Sequence, residues 1–561
     1  MIANVNDDGT PAVGTPDPAP DLDSAPDLPA ARISVIVIGF DDARHIGAAV
    51  RSALAQGPVV AEVVAVDDAS TDGTGAILDR LAAREPRLRV VHRSVNSGGC
   101  GTPRNDGLRA ATSPYVMFLD SDDVLPAGAA AALLRAALQH DAPVAAGLCV
   151  RRELPQRRDT RWQPGLYRTA AVHDRPEAHA ALLPDTLCVN KLYARAFLTG
   201  NGIAFPEGPY RYEDFVFTAR VLAAGPRVAT VPDAVYIWHV RRNTDRPSLS
   251  LDRDRIGNWQ ARVLAHQHAV EILRGAGGTA LAQAARVKFL DHDLRMYVRE
   301  LPSRGPAYRR AWWRVARGCL AAYGEAEFAA ARAPARWIAR VLLAAGAPRD
   351  LERLAQLAAR PARLLPPYAA VAGLPVWAHD LPAVVLDGLT GPGAKPVRRL
   401  PVTVDAGLRT GPARAELRLR VHDLYGRLAQ AGPRKVTVEL RLRGGEPAVA
   451  YAAPLTPEGP AVWGARLYFG LGALAAQGSG GGTQVWDVRV RLHCGRGGAP
   501  LRTAVRATGP GLRRTILPSA RHGVLLAQPY ATATGSLALR LAPGVRGAVG
   551  VVVRRMRGWF R

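Results

Sequence analysis

The chain has 561 residues, 48% hydrophobic and 6% aromatic, which suits several cores of about 100–200 residues each and excludes a chain disordered throughout. Its 73 Lys and Arg against 48 Asp and Glu leave a net +25. That balance favours polyanionic partners, although abundant Ala, Gly and Pro beside scarce Lys make GC-rich coding an equal explanation of the Arg excess.

Five cysteines (Cys100, Cys149, Cys188, Cys319, Cys494) without C-x-x-C spacing argue against a disulfide framework and a structural zinc site, and for a reducing cytoplasm. No stretch of about 18 uncharged apolar residues is present, so no membrane-spanning helix is expected. Residues 1–30 hold Asp, Pro, Ala and Gly without a basic start and apolar core, and read as a disordered acidic tail, not a signal peptide.

From Arg32 the pattern becomes regular. Ile33 to Phe40 is a nearly continuous β-branched run, as expected of a strand buried on both faces. Helical spacing over Asp42–Gln56, a strand over Val59–Val66, a helix over Thr74–Arg84, a strand at Leu88–Val91, a helix over Thr102–Ala111 and a strand over Tyr115–Leu119 follow. This alternation predicts an α/β fold with a mostly parallel sheet across residues 31–258.

Acidic clusters close two of these strands: Asp67-Asp68-Ala69-Ser70-Thr71-Asp72, then Asp120-Ser121-Asp122-Asp123. The carboxyl ends of parallel strands are where open α/β sheets bind ligands. Asp72 is explained by capping the helix that follows; three acids in six residues exceed what capping needs, which leaves Asp68 for a ligand. Carboxylates crowded at a sheet rim repel one another, and a divalent cation such as Mg²⁺ or Mn²⁺ bridging to phosphates relieves this. An acidic turn without metal is the alternative. Tyr212-Glu213-Asp214-Phe215 is a further acidic step, serving either a second substrate or the start of a helix.

Taken in order, the Ile33–Val37 strand, the Asp67–Thr74 turn, Asn96-Ser97-Gly98-Gly99, Arg104-Asn105, Gly107-Leu108 and Tyr115–Asp123 resemble the nucleotide-binding half of inverting family 2 glycosyltransferases with the GT-A fold. The likeness continues less tightly through Asn190-Lys191-Leu192 and Tyr212-Glu213-Asp214 to about residue 250. The resemblance implies that Phe40 stacks on the donor's base, Asp68 accepts from its ring N–H, Arg104 lies near the nucleotide, Asp120 faces the ribose, Asp122 holds a Mn²⁺ or Mg²⁺ on the diphosphate, and Asp214 is the catalytic base with Glu213 tuning it. Phe40-Asp41, Ala69 and Pro103 stand where Tyr-Asn, Gly and a small residue are commoner.

The segment Tyr236–Ser248 follows the Val228–Val235 strand and reads as a loop able to close over bound donor. Its Arg241 and Arg242 are candidates to clamp the diphosphate, and His239 either completes the metal shell or simply packs. Residues 259–365 are helical and rich in Ala, Leu and Arg; Trp312, Trp313, Tyr323 and Trp337 there pack between helices or stack on carbohydrate. A Pro-rich linker covers 366–397.

From 398 to 545 apolar and charged residues alternate with period two, as in Val436–Leu442 and Val485–Leu492, which predicts antiparallel β-sandwich modules. A GT-A domain, a helical segment and β-modules in this order are similar to wall teichoic acid poly(ribitol phosphate) glycosyltransferases. The tail 546–561, with Trp559 and Phe560 among arginines, suits either an anionic membrane surface or a strand end with solvated charges.

These readings converge on a cytoplasmic, metal-dependent glycosyltransferase taking a nucleotide sugar, UDP-linked, to an anionic or lipid-linked glycan acceptor. Peripheral contact with the inner membrane face and a homo-oligomer are both compatible with it. A neutral polysaccharide or glycolipid acceptor, or an inactive polymer-binding scaffold, are the alternatives. Nothing beyond net charge suggests nucleic acid.

Overall fold

The computed structural model describes residues 32–241 and 252–544 apart from 361, 367–368, 392–393, 401, 412–413, 424, 445–447, 460, 478–481, 496–498, 510–511 and 533–534. The acidic tail, Arg242 with the segment that follows it, and the tail from 546 onward lie outside the described residues. The chain divides into two compact units, up to Lys288 and from Phe289. Among the described residues no helix is long and apolar enough to cross a membrane.

The first unit is built on strand β1 (Ile33–Gly39), every residue of which is buried. It is flanked by parallel neighbours on both sides, β2 (Val60–Asp67) and β4 (Tyr115–Asp120), which is why it reads as an uninterrupted apolar run. The helices α1 (Ile46–Leu54), α2 (Thr74–Ala82) and α3 (Gly101–Ala110) alternate with β1, β2, β3 (Leu88–His92) and β4. Helix α3 comes close to the sheet because Gly107 has no side chain: a Cβ there would lie 2.2 Å from Ile36 Cγ2.

Beyond β4 the sheet becomes mixed. After α4 (Ala129–Gln139) come β5 (Val144–Leu154), β6 (Arg158–Arg161), β7 (Ala171–His173), β8 (Lys191–Ala194), α5 (Arg195–Gly200), α6 (Glu213–Ala223) and β9 (Val228–Arg241). The strand order is β3-β2-β1-β4-β8-β5-β9-β7, with β6 beside β5. Strand β8 is antiparallel to both β4 and β5, and β9 is parallel to β5. Residues 236–241, read from sequence as the start of a loop, are therefore strand, because their amides pair with Cys149–Leu154 of β5. Helices α7 (Ile256–Gly275) and α8 (Thr279–Lys288) complete this unit.

Register decides where the acidic residues meet. Ile38 pairs with Val66 on one side and Asp120 on the other, and Gly39 with Asp67. The ends of β1, β2 and β4 thus form one carboxyl edge. Below it Phe217 of α6 stacks on Phe205 at 3.9 Å, and both rings meet Phe118 of β4 edge-on at 5.9 and 5.1 Å, fixing the start of α6 over the same edge.

In the second unit Trp312, Trp313 and Trp337 are fully buried in the helical segment. After a two-stranded hairpin come two larger, mostly antiparallel sheets, with one parallel pairing, of Val404–Thr410 with Arg506–Ala507. One, of five strands, has Val404–Thr410, Ala415–His422 and Val462–Phe469 at its centre; the other, of seven, runs through Pro433–Leu442, Gln484–Cys494 and Leu537–Pro543. Their strands alternate buried with open positions, as the period of two predicts.

The turn after β2 accounts for one departure noted in the sequence. Ala69, where Gly is commoner, sits at φ 62°, a left-handed conformation costing an L-residue about 1–2 kcal/mol. Ala69→Gly is therefore expected to stabilise the first unit by about 1 kcal/mol, read as a raised urea midpoint; an unchanged or lowered midpoint would mean that the turn tolerates the methyl without strain.

Candidate active site at the carboxyl edge of the sheet

The centre of the site is Arg104, carried on α3 and only 2% exposed. Its Nη2 donates to Asp120 Oδ1 at 2.7 Å, and its Nη1 to Glu213 Oε1 at 2.6 Å and Asp214 Oδ1 at 3.2 Å. One guanidinium thus holds the end of β4 against the start of α6, and Asp214 lies two hydrogen bonds from Asp120. The sequence reading put Arg104 near the nucleotide; in the structure its charge is spent on three carboxylates.

Glu213 and Asp214 open α6, where negative side chains are favoured by the helix dipole. They are aimed by Tyr212, which precedes them at φ 63°. The Tyr212 hydroxyl donates to Asn258 Oδ1 at 2.9 Å and its ring packs under Arg262 at 4.5 Å, contacts that offset the backbone strain. Burial pushes Glu213 up to about 7 against the pull of Arg104, with Asp214 adding repulsion. Asp214 is raised for the same first reason, opposed by Arg104 and helped by Asp120.

A second group forms around Asp122. Arg241 donates from Nη2 to Asp122 Oδ2 and meets His45 Nδ1 at 2.7 Å, while His45 meets Asp42 Oδ1 at 2.5 Å. Burial lifts Asp122 to about 6 despite Arg241, with Asp120 and Asp42 adding negative charge. Asp123 is buried and ties β4 to β9: it accepts the Tyr236 hydroxyl at 2.7 Å and the His239 amide at 2.7 Å.

Among the described residues no three His, Cys, Asp or Glu side chains form a cage. His239 Nδ1 lies 2.9 Å from the Asp122 carbonyl, which can only accept, so Nδ1 carries the hydrogen and Nε2 keeps its lone pair. Burial holds the ring below its usual range. Asp122, whose carboxylate is bound by Arg241, and His239 are thus two candidate ligands, and a hard cation there would take its remaining ligands from phosphate and water.

Asp68 is 4% exposed; it forms an ion pair with Arg93, Nε at 2.7 Å, and accepts from Ser97 Oγ at 2.7 Å, Asn96 Nδ2 at 3.0 Å and the Ser97 amide at 3.1 Å. It clamps residues 93–97 to the end of β2. Phe40, by contrast, is 47% exposed at the end of β1, with its ring open to a stacking partner. Asp72 accepts from the amides of Thr74 and Ala43, both at 3.0 Å, a local structural role.

The structure therefore gathers Asp120, Glu213 and Asp214 around Arg104, and Asp122 and His239 near Arg241, on one edge. Arg242 falls outside the described residues. Sequence reasoning missed Arg93 and His45. Arg93 follows β3 directly and was legible in principle as a cation at a strand end.

The Arg104 cluster gives a test of stability. A group whose folded value lies above its unfolded one, as for Glu213 at about 7 against 4.5, favours the fold fully below 4.5 and loses that contribution as pH rises through 7. Arg104→Met is expected to cost about 3–5 kcal/mol at pH 8, where the carboxylates lose their only shared cation, and much less at pH 5. Equal losses in urea unfolding at both pH values would mean that Arg104 acts by packing.

Residues 34–194 match the family model described as glycosyl transferase family 2. Among curated proteins, the succinoglycan biosynthesis protein ExoO of Rhizobium meliloti is 30% identical over 251 residues, covering 42% of this chain and 66% of the relative. The poly(ribitol-phosphate) beta-glucosyltransferase of Bacillus spizizenii is 28% identical over 191 residues, 34% of this chain and 29% of the relative. The chain thus matches less than two thirds of these relatives' length. A crystal structure of S. aureus TarS 1–349 in complex with UDP-GlcNAc aligns at 20% identity with a TM-score of 0.49, covering 62% of this chain and 96% of that one. The α/β unit whose carboxyl edge holds Arg104 and its carboxylates contains a glycosyl transferase family 2 domain.

Proposed function

We propose that this protein is a metal-dependent, inverting glycosyltransferase that moves a sugar from a nucleotide donor, a UDP-sugar, to a hydroxyl of an anionic cell-envelope polymer such as a teichoic acid or its lipid-linked precursor. The observation that carries the reading is the single edge shared by Asp122 and Asp214, linked through Asp120 and Arg104. In this reading the acceptor oxygen attacks the anomeric carbon, its proton passes to Asp214, and the bond from that carbon to the diphosphate oxygen breaks, releasing the nucleoside diphosphate with inversion. A Mn²⁺ or Mg²⁺ held by Asp122 and His239 would supply positive charge against the diphosphate. Phe40 offers its ring to the base, Asp120 faces the ribose, and Arg241 faces the phosphates. Arg104 keeps Asp214 ionised and aimed, and Glu213 sets the field around it.

Charge on the second unit supports an anionic acceptor. The open face of the seven-stranded sheet carries Lys435, Arg441, Arg489, Arg491, Arg502 and His493 around Glu439 and Asp487. Arg491 stands opposite Arg502 in register and is paired with Glu439, so one carboxylate there faces more than one cation. Burial, then Lys435 and Arg491, hold the His493 ring below its usual range. Exopolysaccharide as acceptor is the second reading, favoured by the likeness to a succinoglycan biosynthesis protein.

Nucleoside diphosphate release from a panel of sugar nucleotides, with and without Mn²⁺, tests the activity. UDP release that vanishes on chelation is expected, and release unchanged by chelator would end the metal assignment. Asp214→Asn should lower turnover by at least about 10²-fold while donor binding, followed by calorimetry, is retained; full activity would remove Asp214 as the base. For the acceptor, Arg489→Glu with Arg502→Glu should weaken binding to poly(ribitol phosphate) by roughly tenfold, less so in high salt. Undiminished affinity would move acceptor recognition off this face.

A further inference from the structure

Strand β6 is exposed at every residue and plays no part in the mechanism above. With the end of β5 it forms a hairpin, residues 151–161, in which five arginines stand against two carboxylates. Glu153 accepts from Arg151 Nη1 at 3.0 Å and from Arg158 Nη2 at 2.8 Å, and Asp159 accepts from Arg152 Nε and Nη2, both at 2.8 Å. Both acids are thereby used. Arg157, in the turn, and Arg161, on β6, are exposed and have no carboxylate partner among the described residues.

Register ties these cations to the site. Arg152 is level with His239 of β9 and with Asp159 of β6, and Val150 with Ile237 and Arg161. Residues directly paired across strands, and those two apart along one strand, share a face, so Arg241, His239, Arg152, Asp159 and Arg161 stand together. The opposite face holds Glu153, Arg158 and Arg151, whose guanidinium lies 5.4 Å from the Trp238 ring. The first face opens onto the candidate site, since Arg241 donates to Asp122 Oδ2 and His239 Nδ1 lies 2.9 Å from the Asp122 carbonyl oxygen. From β9 to β6 it carries positive charge outward over two strand spacings, about 10 Å.

We propose that this face of the β5–β6 hairpin is a subsite for phosphate groups of the acceptor polymer, held by Arg157 and Arg161 while a hydroxyl further along the same polymer lies at the reacting centre. The inference rests on the reading of the acceptor as an anionic polymer. Arginine suits the task because its fork takes a phosphate through two hydrogen bonds and stays charged. Arg152 neutralises Asp159, so that carboxylate does not offset the two free cations on either side of it. Charge on an exposed edge strand also discourages pairing with other chains, but that purpose does not call for a cationic row that ends at Asp122.

The test uses the full chain with poly(ribitol phosphate) as acceptor. Arg157→Glu with Arg161→Glu should raise the acceptor KM about tenfold at low salt and flatten its dependence on added salt. Arg161→Gln alone, a milder change at an exposed position, should raise it about threefold. Arg80→Glu with Arg84→Glu makes an equal change of charge in and just after α2, which packs on β3 at the far end of the sheet, and should leave the acceptor KM within about twofold. An acceptor KM and salt dependence that are the same in wild type and both hairpin variants overturn the inference alone, and so does an equal rise in the α2 variant, which is an effect of net charge. A hairpin variant that keeps its acceptor KM but loses binding to phosphatidylglycerol vesicles makes the face a membrane contact instead. A wild-type chain that transfers sugar to a neutral glycan and not to poly(ribitol phosphate), or transfers none, removes the anionic-acceptor reading and this inference with it.

Discussion

One cation against three carboxylates organises this molecule's candidate site. Arg104, buried on α3, bonds Asp120 at the end of β4 and Glu213 and Asp214 at the start of α6. Arg is suited to this because its planar fork presents several donors and stays charged at any pH of interest. The compensation is incomplete, since one positive charge faces three negative ones: burial displaces Glu213 and Asp214 upward, the neighbouring carboxylates add to it, and Arg104 opposes it.

That cluster exists only because the sheet register brings its members to one edge. β1 lies between β2 and β4 with Ile38 level with Val66 and Asp120, so two acidic clusters 50 residues apart in sequence become neighbours. The antiparallel strand β8 then turns the chain back beside β4, and the aromatic stack of Phe205, Phe217 and Phe118 seats α6 over the result. Rigid packing underneath and polar groups above is the usual division between scaffold and site. Asp123, Tyr236 and the His239 amide sew β9 into the same rim, which explains why residues 236–241 are strand although their polar sequence reads as loop.

Much of the first unit was legible because its signals are local. The apolar run at 33–39, the helical spacing after Asp42 and the acids closing two strands each report a nearby physical requirement, burial, amphipathicity or a strand end, and β1 to β4 fall within a residue or two of the strands expected. The β-region after 398 declared itself through its period of two. Arg104 was legible as a residue of the site but not in its role, since nothing in the sequence says that two of its partners, Glu213 and Asp214, lie 109 and 110 residues away. Asp68 shows the same gap: its acidic neighbours marked it, yet its binding of Arg93, Asn96 and Ser97 depends on the fold of the following loop.

The sequence by itself determined the elements, their order, the mostly parallel character of the first unit and the chemical types gathered at its strand ends, because periodicity and chain-end chemistry act over a few residues. Only the tertiary structure decided which charge meets which: that Arg104 serves Asp120, Glu213 and Asp214, and that Arg241 lies on Asp122. Those pairings follow from register and from the packing of α6 on β4, long-range constraints that emerge only when distant segments are buried against each other.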